Sequence, residues 1–354
     1  MRRLLLLASL ALPAQDLRMN QIQFIGTHNS YHIGLSTAEL ALLQKQNPQA
    51  AASLAYKHAP IEAQLDAGAR QLELDIFHDS KGGLFAKPLY LRLAPNNDPM
   101  PPAWAQAMNT PGFKVLHVND LDFRSHCWTL SACLQIVRTW SKAHPKHLPI
   151  YVQLENKDGR PRPEFVLPEP ITAQTMDALD AEILSVFSRN ELITPDDVRG
   201  SFKTLEQAVL AQGWPKLSAA RGKVVFLLDQ ERVTPLYTAG RPSLEGRVIF
   251  TAAKPGSPDA AFIKRNNATA ADIPDLVRKG YLIRTMTDGG VKAVQSNDTT
   301  RRDLAIKSGA HILSTDYPFN WKASPSGYSV SLPEGKARCN PVNTPQPCSV
   351  SLPH

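Results

Sequence analysis

At 354 residues and 43% hydrophobic content the chain can bury one large or two ordinary globular cores, which excludes a disordered polypeptide. Its formal net charge of +7 suits an anionic substrate or an anionic membrane surface. The lysines and arginines are scattered rather than clustered, which excludes a nucleic-acid patch.

Residues 1–14 open with Arg2 and Arg3, continue as the apolar run Leu4 to Leu12, and end in small residues before Gln15. That is the pattern of a cleaved secretory signal, and the run is too short for a membrane span. No later stretch approaches spanning length, so an exported, soluble protein is expected. Four cysteines suit that compartment, and the simplest pairing is local, Cys127 with Cys133 and Cys339 with Cys348, although other connectivities remain open.

In chain order, the first strand is Ile22-Gln23-Phe24-Ile25-Gly26-Thr27, which stops at the polar group His28-Asn29-Ser30-Tyr31. A short helix over 60–68 feeds the second strand, Gln71 to Phe77, whose Glu73 and Asp75 are two residues apart and share a face. Residues 81–111, rich in Pro, Asn and Gly, read as an excursion over one face. Val115-Leu116-His117 reads as a third strand and Ile150 to Asn156, carrying Glu155, as a fourth, with a helix over 129–143 between them. Strands five to eight are expected at 223–229, 247–251, 281–285 and 310–316, with helices near 172–189, 204–212, 273–279 and 299–308.

Eight short apolar strands alternating with helices predict a distorted TIM (β/α)8 barrel, since parallel strands need crossovers. An open doubly wound sheet is the alternative, and no GxGxxG opens a helix after a strand to support dinucleotide binding. The catalytic barrel is expected to occupy 15–325, with 326–354 a cysteine-containing tail packed on it. In a barrel the carboxyl ends of the strands meet on one rim. His28, Asn29, Glu73, Asp75, His117, Glu155, Asp229, Arg284 and Asp316 all fall at or near such ends.

Asn29, Glu73, Asp75 and Glu155 form an all-oxygen donor set, which favours calcium over zinc. Two histidines suit paired general acid and base work near neutral pH. With a cation and a basic residue such as Lys157 or Arg284 they describe phosphoryl transfer. Asp316 either orients His28, faces substrate with those basic residues, or begins the turn before Pro318. Asp229 reads as structural, His78 is unassigned, and His32, His58, His144, His147 and His311 read as surface or packed histidines.

The ordered set of Gly26 to Tyr31, Gln64 to Asp75, His117, Leu154-Glu155-Asn156 and Gly309 to Pro318 resembles the catalytic region of phosphoinositide-specific phospholipases C, most of all the secreted bacterial calcium-dependent branch. The resemblance implies that His28 activates the inositol 2-hydroxyl or stabilises the transition state, and that His117 protonates the leaving diacylglycerol oxygen. It implies that Asn29, Glu73, Asp75 and Glu155 bind Ca2+, with Glu73 also a candidate base. The calcium-independent bacterial enzymes carry arginine where this chain has Asp75. Phosphatidylinositol, or a related phosphodiester, is then the expected substrate, cut through a cyclic phosphodiester by a monomer that touches an anionic membrane surface transiently. A glycerophosphodiester phosphodiesterase shares the barrel and the Glu-x-Asp pair, but its His-Arg-Gly opening is absent at His28-Asn29-Ser30. A catalytically silent lipid- or glycan-binding barrel is the remaining alternative.

Overall fold

The structure is a computed structural model that describes residues 16–333 and 335–350. The expected export signal at 1–14 lies outside the described residues. Ten strands form one sheet: β1 (Ile22–Thr27), β2 (Gln71–Asp79), β3 (Gly112–Val115), β4 (Ile150–Asn156), β5 (Val224–Leu228), β6 (Ile249–Phe250), β7 (Phe262–Asn267), β8 (Leu282–Met286), β9 (Ile312–Thr315) and β10 (Ala337–Cys339). Eight of them run parallel in the order β6-β5-β4-β2-β1-β9-β8-β7. Among the described residues the two ends of that order meet only through the bridge from Ala252 to Phe262, so the result is a nearly closed (β/α)8 barrel.

Two strands stand outside the barrel. β10 lies antiparallel on β1, with Ile22 opposite Cys339. β3 lies antiparallel on the far half of β2, with Ile76 opposite Val115 and Asp79 opposite Gly112. The expected third barrel strand is therefore corrected. β2 is long enough to project beyond the barrel wall, and its overhang captures β3 as a side ribbon. The missing barrel strand is β7, in which only Phe262 and Ile263 are buried. The four residues after them have no apolar run to mark a strand.

Strand alternation sorts the walls. On β2, Leu72, Leu74 and Ile76 face the helices, and Gln71, Glu73 and Asp75 face the lumen. Phe24 stacks on Tyr151 across the lumen with ring centroids 5.1 Å apart. Gly26 belongs to the lumen face because a Cβ there would meet Gln71 Oε1 at 2.0 Å. The helix Ile61–Ala67 ends at Gly68, whose φ of 115° is one an L side chain rarely adopts and whose N–H reaches Gln64 O. The chain thus turns directly into β2.

The main core lies between barrel and helices and includes Leu72, Leu74, Val152, Leu154, Val224 and Phe226. A second apolar cluster, with Leu43, Phe77, Phe85, Tyr90, Trp104, Leu116 and Phe123, sits under the excursion. It is a floor for the loop that carries His117. Disulfides join Cys127 to Cys133 and Cys339 to Cys348, the local pairing expected from spacing.

Candidate active site

The register of the ladder brings the acids together. β2 pairs with β4 so that Glu73 lies opposite Gln153 and Asp75 opposite Glu155. Neighbouring strands are about 4.8 Å apart, which sets lumen-facing carboxylates at ligand spacing. One oxygen from each of Glu73, Asp75 and Glu155 lies within 4.8 Å of the other two. Asp75 is 0% exposed and Glu73 2%. Burial pushes both carboxyls up, and neighbouring acids add to the push, although Arg284 opposes it at Glu73 and Lys157 at Asp75.

Asn29 follows the end of β1 with φ 46°, a left-handed turn that asparagine tolerates. Its Nδ2 donates to Tyr56 Oη at 2.7 Å, and its Oδ1 is buried without a partner. Ser30 N–H donates to Glu73 O at 2.9 Å, which fastens this turn to the acidic strand. An orphaned amide oxygen on the turn fastened to Glu73, taken with the three carboxylates, is the all-oxygen chemistry that fits a calcium ion.

His28 sits where β1 enters the rim. Its Nδ1 lies 2.9 Å from Asp316 Oδ1, and its Nε2 lies 3.7 Å from Glu73 Oε1. Burial works against charge on this ring, but Asp316 and Glu73 outweigh it and raise its pKa to about 10. Asp316 is itself held by its N–H donating to Asp288 Oδ2 at 2.7 Å. With its Oδ1 engaged by His28, Asp316 stands where it would orient the ring, one of the roles expected for it.

His117 does not end a barrel strand; it lies two residues past β3, in the loop fixed by Leu116 N–H donating to Asp75 O at 3.3 Å. Its Nδ1 lies 2.8 Å from Asp122 Oδ2. Burial disfavours the imidazolium, yet the Asp122 hydrogen bond and charge raise its pKa above the ordinary value. Rings connect the two histidines: His28 to Tyr56 at 6.3 Å, Tyr56 to His32 at 4.4 Å, and His32 to His117 at 5.9 Å. The histidines thus flank one acidic cluster.

Arg284, a candidate substrate contact, lies buried at the base of the site. It is 1% exposed, donates to Glu73 Oε2 at 2.7 Å and to Ser314 Oγ at 3.0 Å, and also bonds Asn266. Lys157 is tied to Asp75 and Glu155 rather than held free for substrate. Asp229 accepts from Gln153 and Lys264, each at 2.5 Å, a structural bridge across the lumen. His78 faces the other side of β2 from Glu73 and Asp75, with Nδ1 2.7 Å from Glu169, and so lies outside the site.

Sequence reasoning passed over Tyr56, Asp122 and Lys264, and gave His32 a bland role. His32 is fully buried, with Nε2 2.8 Å from the same Asp122 oxygen that holds His117. Asp122 stands five residues after His117, a local spacing that could have marked it. Tyr56 and Lys264 had no such signal.

A parallel barrel with imidazoles and acids at the carboxyl rim of its strands is the frame of a phosphodiesterase, and comparison with known proteins narrows that class. Residues 17–341 match the family described as phosphoinositide phospholipase C, Ca2+-dependent, and the chain belongs to that family of phosphodiesterases. Among solved structures it is similar to the calcium-dependent phosphoinositol-specific phospholipase C of the Gram-negative bacterium Pseudomonas sp. In crystal form 2 of the apo form the TM-score is 0.57, with 17% identity over 92% of this chain and 97% of that one. It is also similar to the calcium-dependent phosphatidylinositol-specific enzyme of Streptomyces antibioticus, with TM-score 0.53 and 20% identity over 84% of this chain and 94% of that one. At these identities the likeness shows the fold alone. No curated protein matches the sequence.

Proposed function

We propose that this protein is a secreted, calcium-dependent phosphodiesterase that cleaves phosphatidylinositol to diacylglycerol and inositol phosphate through a cyclic phosphodiester. One observation carries the reading: His28 and His117 each commit Nδ1 to a carboxylate, and both rings flank the acidic cluster of β2 and β4. This arrangement leaves Nε2 of each ring as the edge for substrate. Two anchored, differently placed proton carriers are what an in-line displacement at phosphorus requires.

Asn29, Glu73, Asp75 and Glu155 would hold a calcium ion, which when bound would supply Lewis acidity for the charge that develops at phosphorus. His28, kept charged by Asp316 and Glu73, donates from Nε2 to a phosphate oxygen as negative charge develops. Glu73 takes the proton of the inositol 2-hydroxyl as its oxygen bonds to phosphorus. His117, kept charged by Asp122, gives its proton to the diacylglycerol oxygen as the bond from that oxygen to phosphorus breaks. In the second half a water attacks the cyclic diester, His117 takes its proton, and Glu73 returns a proton to the 2-oxygen. The sum is hydrolysis, with every residue restored.

Two disulfides and the basic-then-apolar start of the chain support export. Leu93 and Leu167, 52% and 61% exposed, lie in the segments that follow β2 and β4 and offer apolar contacts for transient docking on an anionic membrane, with the protein acting as a monomer. The test is phosphorus NMR of purified protein with phosphatidylinositol or glycerophosphoinositol, in calcium or chelator. Cyclic inositol phosphate that disappears with chelator is expected. Turnover of glycerophosphoinositol alone would replace this reading with a glycerophosphodiesterase, and no turnover of either would leave a binding barrel.

A further inference from the structure

Lys157 directly follows Asn156, the last residue of β4. Its N–H donates to Ile76 O at 2.8 Å, which continues the pairing with β2 past the end of the strand. Its ammonium turns back into the site: Nζ is 2.9 Å from Asp75 Oδ2 and 2.9 Å from Glu155 Oε1. Two of the three carboxylates in the acidic cluster therefore share one side-chain cation.

We propose that Lys157 is a built-in competitor for the metal site, a tethered ammonium that calcium must displace from Asp75 and Glu155. The inference rests on the calcium reading given above. An ammonium 2.9 Å from both carboxylates occupies the space and supplies the positive charge that a metal would bring, so a cation can collect both ligands only after Lys157 withdraws. The other cation of the cluster behaves differently. Arg284 is buried, is bonded to Glu73, Asn266 and Ser314, and stays in place.

Lys157 has an exit. Its side chain is 23% exposed and lines a cavity of about 300 Å³ together with Phe77, His117, Asn119 and Arg160. Metal entry then does two things at once: it fills the acidic cluster and releases a positive charge into the cavity beside His117. A phosphodiester reaching that cavity then meets the Lys157 ammonium in addition to Arg160 once the metal has loaded. The displacement also lowers apparent calcium affinity by the fraction of molecules in which the site is free of the ammonium.

The test compares calcium binding by the wild-type protein with Lys157→Met, Lys157→Gln and Lys157→Arg, all prepared in calcium and titrated by chelator competition. Preparation in calcium keeps the neutral variants measurable even where the calcium-free form is unstable. Both neutral variants are expected to bind calcium about tenfold tighter or more, and Lys157→Arg to stay near wild type. Thermal melts give an independent readout: the neutral variants melt lower than wild type in chelator, because Asp75 and Glu155 lose their counter-charge, and gain more from added calcium. Unchanged or weaker calcium affinity in both neutral variants overturns the proposal and leaves the calcium reading standing. Failure of the wild-type protein and all variants to bind calcium overturns both.

Discussion

Asp122 holds His117 through a contact of 2.8 Å to Nδ1, and the same carboxylate holds His32 through Nε2. A single buried acid thus sets the orientation and charge of a proposed proton donor while being fixed itself by a second ring. Burial pushes the Asp122 carboxyl up, but His32 and the His117 hydrogen bond bring it well below the usual range, so it stays ionised. Asp122→Asn is expected to slow phosphatidylinositol cleavage by roughly 10²-fold to 10⁴-fold, the span of general acid catalysis. An inositol phosphodiester with an activated phenolic leaving group needs little protonation and should be slowed far less, as with His117→Ala. Parallel kinetics on the two substrates check this, and equal slowing would remove His117 from the acid role.

The acidic cluster predicts metal dependence that can be read without turnover. Asp75→Asn keeps the shape of the side chain and removes one of three charges within 4.8 Å of one another. Calcium affinity measured by calorimetry is expected to fall by about a hundredfold, the upper end of losses seen when outer-shell partners of a metal are removed. A variant that binds calcium as tightly as the parent would show that Asp75 is not a ligand.

Stability should fall with acid for a reason remote from the site. His311 is fully buried, its Nε2–H donates to Asn20 O at 2.7 Å, and its Nδ1 accepts from Ile283 N–H at 3.0 Å. Burial lowers its pKa from 6.5 to about 4. Between those values the unfolded chain binds a proton that the folded chain refuses, so stability is lost as pH falls through this window. The full loss is about 3 kcal/mol for one such group. Urea melts at pH 7, 6 and 5 are expected to show the slope, and His311→Gln to flatten it by one proton. An unchanged slope would assign the acid sensitivity elsewhere.

Gly26 tests the lumen packing that sets the acids in register. A methyl group there would overlap Gln71 Oε1 at 2.0 Å and Gln71 Cβ at 2.8 Å, on the strand that carries Glu73 and Asp75. Gly26→Ala should cost about 1–3 kcal/mol of stability by overpacking. Denaturant melts measure this, and a cost under half a kcal/mol would mean that Gln71 swings away freely.

Much of this site was legible because parallel strands write their ends plainly. An apolar run that stops at His28-Asn29, and another that carries Glu73 and Asp75 on one face, expose strand type, direction and rim chemistry together. β7 was not legible, since its tail leaves the wall and loses the apolar pattern within two residues. The short apolar run before His117 looked like a barrel strand because composition does not reveal whether a strand pairs parallel or antiparallel. Tyr56 and Lys264 could not be found at all: their places depend on which distant strand folds against them. Arg284 at a strand end suits a substrate phosphate on sequence grounds, and its pairing with Glu73 inside the lumen depends on β8 lying across the barrel from β2.

The first strand of the barrel meets β2 along one stretch and the last parts of the chain along the rest. β1 pairs with β9, whose residues start at Ile312, and with β10, which starts at Ala337. Residues beyond 311 must therefore be in place before this strand has all of its partners. Until then the wall stays open and the rim chemistry is unassembled. Closure of the wall and assembly of the rim are therefore one late event, coupled through a single strand.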